Sequence, residues 1–406
     1  MMIFIIPQSF MLIKLPFLGV VLLGIVLEGS SGRWKVRSEA FLPYYLVFGL
    51  LTVIWCLVGL IRGNTAIAIL EAFLVYVVYM SIYCALAIYV SNVDYEAHID
   101  RIIVVGAFGI GAVALYTLFD HAFNLGWLPQ FVKDDMFLEI GLHDGYTQMN
   151  NVNIGMLTFI APYLLSRLFS GSGKDQYAHI FFGLVVAVVS AILASRRVVL
   201  VLLLITPLLA FVVTALAGRL EPRQQRRFVQ FYFILLLGLG VVSWMVFYWG
   251  FDFLDGFMAR VLSAFTTDPE APRPLQHAAL MAGFSESHFW GSGFGGLTSV
   301  IRSDERPWTF ELTYSRLLFN AGLLGVSLLM LFFSVYLFLA LRKIRRSNHA
   351  SIHVSLLTGF LAVLIASASN PYLSSFDFLF ALSIIPLILN TKDQPIRRSV
   401  TEEALP

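Results

Sequence analysis

Long apolar blocks separated by short polar breaks dominate this chain. A helix needs about 20 mostly apolar residues to cross the hydrocarbon core of a bilayer. Blocks of that kind lie at 3–27, 41–61, 67–90, 102–118, 152–169, 178–194, 198–216, 230–249, 312–341, 353–368 and 374–390. The pattern predicts an all-α polytopic membrane protein with about eleven transmembrane helices, within a range of roughly 10–12. Pro7 and Pro16 are expected to divide the first block into an interfacial piece and a span. That block has no basic residue before Lys14 and no small-residue cleavage site, so it does not read as a removed signal peptide. The run from His179 to Leu216 is too long for one crossing, because a helix rises only about 1.5 Å per residue. Its interruption at Ser195-Arg196-Arg197 predicts two spans joined by a tight turn.

Composition agrees. Of 406 residues, 58% are hydrophobic and 13% charged, against about 25% charged in a typical soluble protein. A soluble globular domain and a disordered chain are both excluded. The net charge of +2 offers no footprint for nucleic acid. Cys56 and Cys84 lie inside apolar runs, which predicts neither a disulfide framework nor a thiolate metal site. Residues 1–406 read as a single transmembrane domain without a repeat of its own.

Basic residues set the expected orientation, since short arginine- and lysine-rich loops stay cytoplasmic. The strongest clusters are Arg219, Arg223, Arg226, Arg227 and Arg342, Lys343, Arg345, Arg346. Arg33, Lys35, Arg37 and the tail residues Lys392, Arg397, Arg398 fit the same side. Alternating spans then place three features outside: a loop at 119–151, the turn at Ser195-Arg196-Arg197, and a large loop at 250–311.

The large loop is expected to be partly helical. Phe251, Leu254, Met258, Val261, Leu262 and Phe265 recur at helical spacing, which suits an amphipathic surface helix. Pro269, Pro272 and Pro274 should break the chain before a second helix from Leu275 to about Phe284. Gly291-Ser292-Gly293-Phe294-Gly295-Gly296 reads either as a loop that lets backbone approach a phosphate or as a flexible turn. No lysine follows it, so it is not a P-loop. Arginines gather on the outer side: Arg196, Arg197, Arg260, Arg273, Arg302 and Arg306, with Arg316 inside the next span. The guanidinium fork suits phosphate, and a cluster at the interface could hold a pyrophosphate whose lipid tail stays in the bilayer. Snorkelling to headgroups is the plainer alternative. Glu311, among Trp308, Phe310 and Leu312, reads either as a partly desolvated general base or as a first-turn glutamate favoured by the helix dipole. His143 and the asparagines Asn150, Asn151 and Asn153 could bind sugar hydroxyls or cap the fifth span. Glu71 is an isolated acid near the outer end of the third span.

The order of these motifs resembles the O-antigen polymerase and ligase superfamily of membrane glycosyltransferases. Asn150-Asn151-Val152-Asn153-Ile154-Gly155 is similar to that family's asparagine-rich entry to a mid-chain span. Ser195-Arg196-Arg197-Val198 is similar to its Ser-Arg-Gly-Ala signature, with Arg197 in place of the glycine. Arg273, His277-Ala278-Ala279-Leu280 and Gly291-Ser292-Gly293-Phe294-Gly295 resemble its loop arginine, helix and glycine run. Glu311-Leu312-Thr313-Tyr314-Ser315-Arg316-Leu317-Leu318 and Gly322-Leu323-Leu324-Gly325 resemble its closing motif. The resemblance covers roughly residues 150–325.

The resemblance implies a GT-C-like fold and a cofactor-free, metal-independent, inverting transfer in the inner membrane of a Gram-negative bacterium, with the active site facing the periplasm. The donor is a growing glycan on undecaprenyl diphosphate, and the acceptor is one lipid-linked repeat unit. Ligases of the superfamily carry histidine where this chain has Glu311, so the resemblance favours the polymerase. A ligase acting on lipid A core and a lipid-linked glycan flippase are the alternatives. By the same resemblance Arg196 and Arg273 steady the leaving diphosphate, and Glu311 takes the acceptor's proton. Substrate contacts fall to Arg197, Arg302, Arg306, His277, Asn151, Asn153, His143, Gly293 and Gly295. A chain-length-regulating co-polymerase and membrane lipids are the expected partners.

Overall fold

The structure is a computed structural model that describes residues 11–30, 38–92, 96–136, 138–143, 146–171, 174–194, 196–249 and 272–391. The expected amphipathic helix at 251–265 lies outside the described residues, as does Arg260.

The described residues are mostly helical. Helix α1 covers Met11–Ser30, α2 Ser38–Ile61 and α4 Glu96–Phe123. Between the last two runs α3, Ala66–Asn92, whose middle stretch Leu74–Tyr79 is π-helical. A short α5, Gln130–Met136, then precedes a hairpin of β1, Glu139–His143, and β2, Tyr146–Asn150. This antiparallel pair is a departure from helix that the apolar pattern does not signal. After a 3₁₀ turn at Val152–Met156 come α6, Leu157–Ser170, α7, Lys174–Leu193, α8, Arg197–Leu216, and α9, Pro222–Trp249. Helix α10, Pro272–Glu286, opens the described part of the large loop. Its two early prolines do not break the chain as expected. They sit in the first turn, where a missing N–H leaves no hydrogen bond unmade. The C-terminal part holds α11, Thr313–Arg346, α12, Ala350–Ala366, two 3₁₀ stretches at Tyr372–Ser374 and Phe376–Ser383, and α13, Ile384–Asn390.

Five of the described helices are long and apolar enough to cross a membrane, with Arg197–Leu216 and Thr313–Arg346 among them. Shorter apolar helices include Tyr177–Leu193 and Ala350–Ala366. This is the architecture of an all-α membrane protein. Leucines and phenylalanines such as Leu46, Leu50, Phe182, Leu236 and Leu331 are exposed on the outer surface, as a lipid-facing exterior requires.

The core forms around α6, which is apolar on every side and buried from Leu157 to Arg167. Gly359 of α12 lets that helix approach closely, because a Cβ there would lie 2.7 Å from the Phe159 ring. Polar pairs fix the register. Ser166 donates to Thr358 at 3.3 Å. Near the end of α6, Arg167 grips Asp100 through Nε at 3.0 Å and Nη2 at 2.6 Å, and Tyr163 donates to the same carboxylate at 2.6 Å.

The two ends of the bundle differ in charge. At one end Arg219 donates to the carbonyls of Arg345 and Ser347, and Arg227 donates to those of Leu168 and Phe169. The clusters expected on one side of the membrane thus meet in space. The opposite ends of α8, α11 and α12 carry the residues described next.

Candidate functional site

Four segments converge at that opposite end: the start of α8, the start of α10, the residues before α11, and the 370–376 connection. Arg273 sits in the first turn of α10. Its Nε donates to Glu311 Oε2 at 2.6 Å. Arg302, on the loop between, places its Nε 3.2 Å from the other carboxylate oxygen of Glu311. One carboxylate thus faces two guanidiniums, which leaves an excess of positive charge. The arginine side chains are 54% and 52% exposed and Glu311 is 22% exposed.

Glu311 is positioned from below. The neighbouring Phe310 ring is buried against Leu280 of α10 and Phe319 of α11. The Glu311 backbone N–H donates to Gln276 Oε1 at 2.8 Å, and Gln276 is buried beneath it. Trp308 has a polar partner on another helix. Its Nε1 reaches away to Glu71 Oε2 at 2.8 Å, tying the loop to α3 and giving the isolated acid a partner. One turn into α11, Ser315 shares a hydrogen bond of 2.8 Å with His277 Nδ1. Arg316 donates to Ser374 at 2.8 Å, and Thr313 donates to the Asn370 carbonyl at 3.1 Å. The start of α11 is therefore tied to the 370–376 connection.

Arg196 joins from α8. It stands at the N-cap, and its Nε is buried with no hydrogen-bond partner among the described residues. Tyr372 links it to the rest. Burial raises the Tyr372 phenol above its ordinary pKa, while the positive charges of Arg196 and Arg273 pull it back. Tyr372 and Val198 of α8 pack against the same cluster of Leu202, Ala362 and Ala366. Arg197 opens α8 with a partly buried side chain. Ser195 lies outside the described residues.

Other expected site residues fall elsewhere. Asn151 and Asn153 are buried at 3% and 1% exposure. The Asn151 side chain meets Thr117 of α4, so it neither caps the following turn nor reaches open space for a sugar. His143 ends β1, paired with Tyr146 in the hairpin. Arg306 is exposed, and its carbonyl accepts from Thr309.

The glycine run has a different use from the phosphate cradle. The amides of Ser292, Gly293 and Phe294 donate to the carbonyls of Phe319, Asn320 and Trp55. Those donors are consumed. Gly293 (φ +77°) lies so close to α2 that a Cβ would collide with the Gly59 backbone. The run is seated against a break in α11, where Gly322 adopts φ 66° and ψ −178° and frees the carbonyls that the run occupies. The Leu323 N–H completes the seat by donating to the Phe289 carbonyl.

Gln276, Tyr372 and Ser374 escaped the sequence reading. Gln276 directly precedes His277, and Tyr372 and Ser374 lie in the short polar interruption Ser369-Asn370-Pro371-Tyr372 and beyond, between two apolar runs. No protein-family model and no curated protein matches the chain.

Proposed function

We propose that this protein is a membrane glycosyltransferase that polymerises lipid-linked repeat units, moving a growing glycan from undecaprenyl diphosphate to the next unit. The observation that carries the reading is the pairing of Arg273 and Arg302 on Glu311, with Arg196 at the helix start on the same side of the bundle. Ion pairs whose arginines are half exposed contribute only about 0–1 kcal/mol each to stability. The fold does not depend on them, and the guanidiniums can exchange Glu311 for the oxygens of a diphosphate. Positive charge held where the leaving phosphate develops its charge is what such a transfer requires. The site lies at the ends of apolar helices, so a lipid tail can remain between them while the diphosphate enters.

The reaction then runs as a single displacement. The acceptor hydroxyl oxygen bonds to the anomeric carbon, and the carbon–oxygen bond to the diphosphate breaks. Arg196, Arg273 and Arg302 take up the charge on the departing diphosphate. Glu311, released from its arginines by the incoming phosphate, accepts the hydroxyl proton. Attack from the face opposite the leaving group inverts the anomeric configuration. The periplasmic face of a Gram-negative inner membrane is the setting this chemistry fits, since the arginine-rich loops at the far end are those that remain cytoplasmic.

The test is purified protein given lipid-linked repeat units as its only substrate. A product ladder with one-repeat spacing is the expected result. Transfer that occurs only after lipid A core is added would make the protein a ligase. No transfer to either acceptor would end the glycosyltransferase reading.

A further inference from the structure

At the arginine-rich end of the bundle an open crevice runs between α6, α8 and α9. We infer that it binds an anionic phospholipid. Its walls change character along their length. Thr214, Gln224 and Ser170 line the end nearest the helix termini, while Pro207, Phe211 and Phe228 line the other. From Thr214 to Pro207 is about two helical turns, so the crevice descends roughly 10 Å below the helix ends. That gradient, polar at headgroup level and aromatic below it, matches the amphipathic profile of a lipid.

Charge selects the class of headgroup. Arg227 lies at the rim, donating to the Leu168 and Phe169 carbonyls, and Arg223 is one turn before it on the same face of α9. Arg226, Arg342, Arg345 and Arg346 are exposed at the same end. None of these six arginines is ion-paired among the described residues. Unpaired arginines beside an apolar slot attract a phosphate-bearing, net-negative headgroup, and each adds about fivefold to the affinity. The crevice is at the opposite end of the bundle from Glu311, so this lipid is distinct from a donor or acceptor at that site, and the inference does not rest on the proposed function.

The test is native mass spectrometry of the full chain in detergent with phosphatidylglycerol or phosphatidylcholine added. Phosphatidylglycerol should be retained at least about fivefold better, and it should raise the melting temperature in a concentration-dependent way. Arg223→Gln, at an exposed position, should weaken its retention about fivefold. Ser170→Trp, which fills the mouth without altering charge, should remove it. Equal retention of phosphatidylcholine overturns the inference, as does wild-type retention of phosphatidylglycerol by either variant. Displacement of phosphatidylglycerol by polyprenyl phosphate at equal concentration would also overturn it, by assigning the crevice to the other lipid class.

Discussion

At the scale of single residues, the candidate site rests on charges that do little for stability. Arg273→Ala removes one guanidinium from Glu311. Product formation should fall by about 100-fold or more, the usual size of loss when one preorganised donor is removed. The melting temperature should move little, because the arginine of the pair is half exposed and Glu311 keeps Arg302 as a second partner. Wild-type chain growth by Arg273→Ala would take this arginine out of the mechanism. Glu311→Gln asks a separate question. It keeps the shape but loses both the counter-charge and the proton acceptor, so turnover should drop while the protein still binds its lipid-linked donor. The arginines and Glu311 were legible in the sequence because charge at membrane depth is costly and therefore conspicuous. Gln276 and Tyr372 were not. A glutamine in an amphipathic helix and a tyrosine in a short turn carry no such cost, and only the folded chain brings them beneath Glu311 and against α8.

At the scale of elements, positions of helices were readable and their interruptions were not. Each apolar block with described residues falls on a helix. The break in α11 did not announce itself, since Gly322 looks like any small residue in a long apolar run. Its meaning depends on the glycine run more than twenty residues earlier in the chain, which fills the gap. Gly293→Ala tests that seat. A methyl group there meets the α2 backbone and a left-handed φ at once, so the expected destabilisation is about 2–5 kcal/mol. Thermal unfolding in detergent measures it, and an unchanged melting point would show that the run is a flexible turn after all. The clamp between α4 and α6 was also hidden in the sequence, because Asp100 and Arg167 are 67 residues apart. Arg167→Met strands a buried carboxylate and should cost about 3–5 kcal/mol, whereas the double variant Asp100→Leu/Arg167→Met should recover most of it. A double variant as unstable as the single one would mean that the ion pair itself, rather than the orphaned charge, matters.

At the scale of the whole molecule, the two ends of the bundle make opposite demands on a membrane. One gathers unpaired arginines, and the other holds a carboxylate–arginine cluster beneath a long loop. The positive-inside rule predicts which faces the cytoplasm. Cys56 and Cys84 are free and buried, so they leave little background for a labelling experiment. Glu305→Cys, at an exposed loop position, should react with a membrane-impermeant maleimide added from outside the inner membrane. Gln225→Cys, exposed at the arginine-rich end, should react only after lysis. The reverse pattern would invert the topology and place Glu311 in the cytoplasm.

The seat of the glycine run also imposes an order on biosynthesis. Asn64, just beyond α2, donates to the carbonyls of Ser292 and Phe294, partners that are 228 and 230 residues further along. At a synthesis rate of about 5–20 residues per second, the ribosome needs roughly 10–45 s to supply them. Throughout that interval the C-terminal end of α2 waits in the membrane with its groove at Gly59 unfilled. A nascent chain arrested before Ser292 never closes it, however well its earlier helices have inserted. Such a chain presents an open, unsatisfied notch to the proteases and chaperones that survey unfinished membrane proteins.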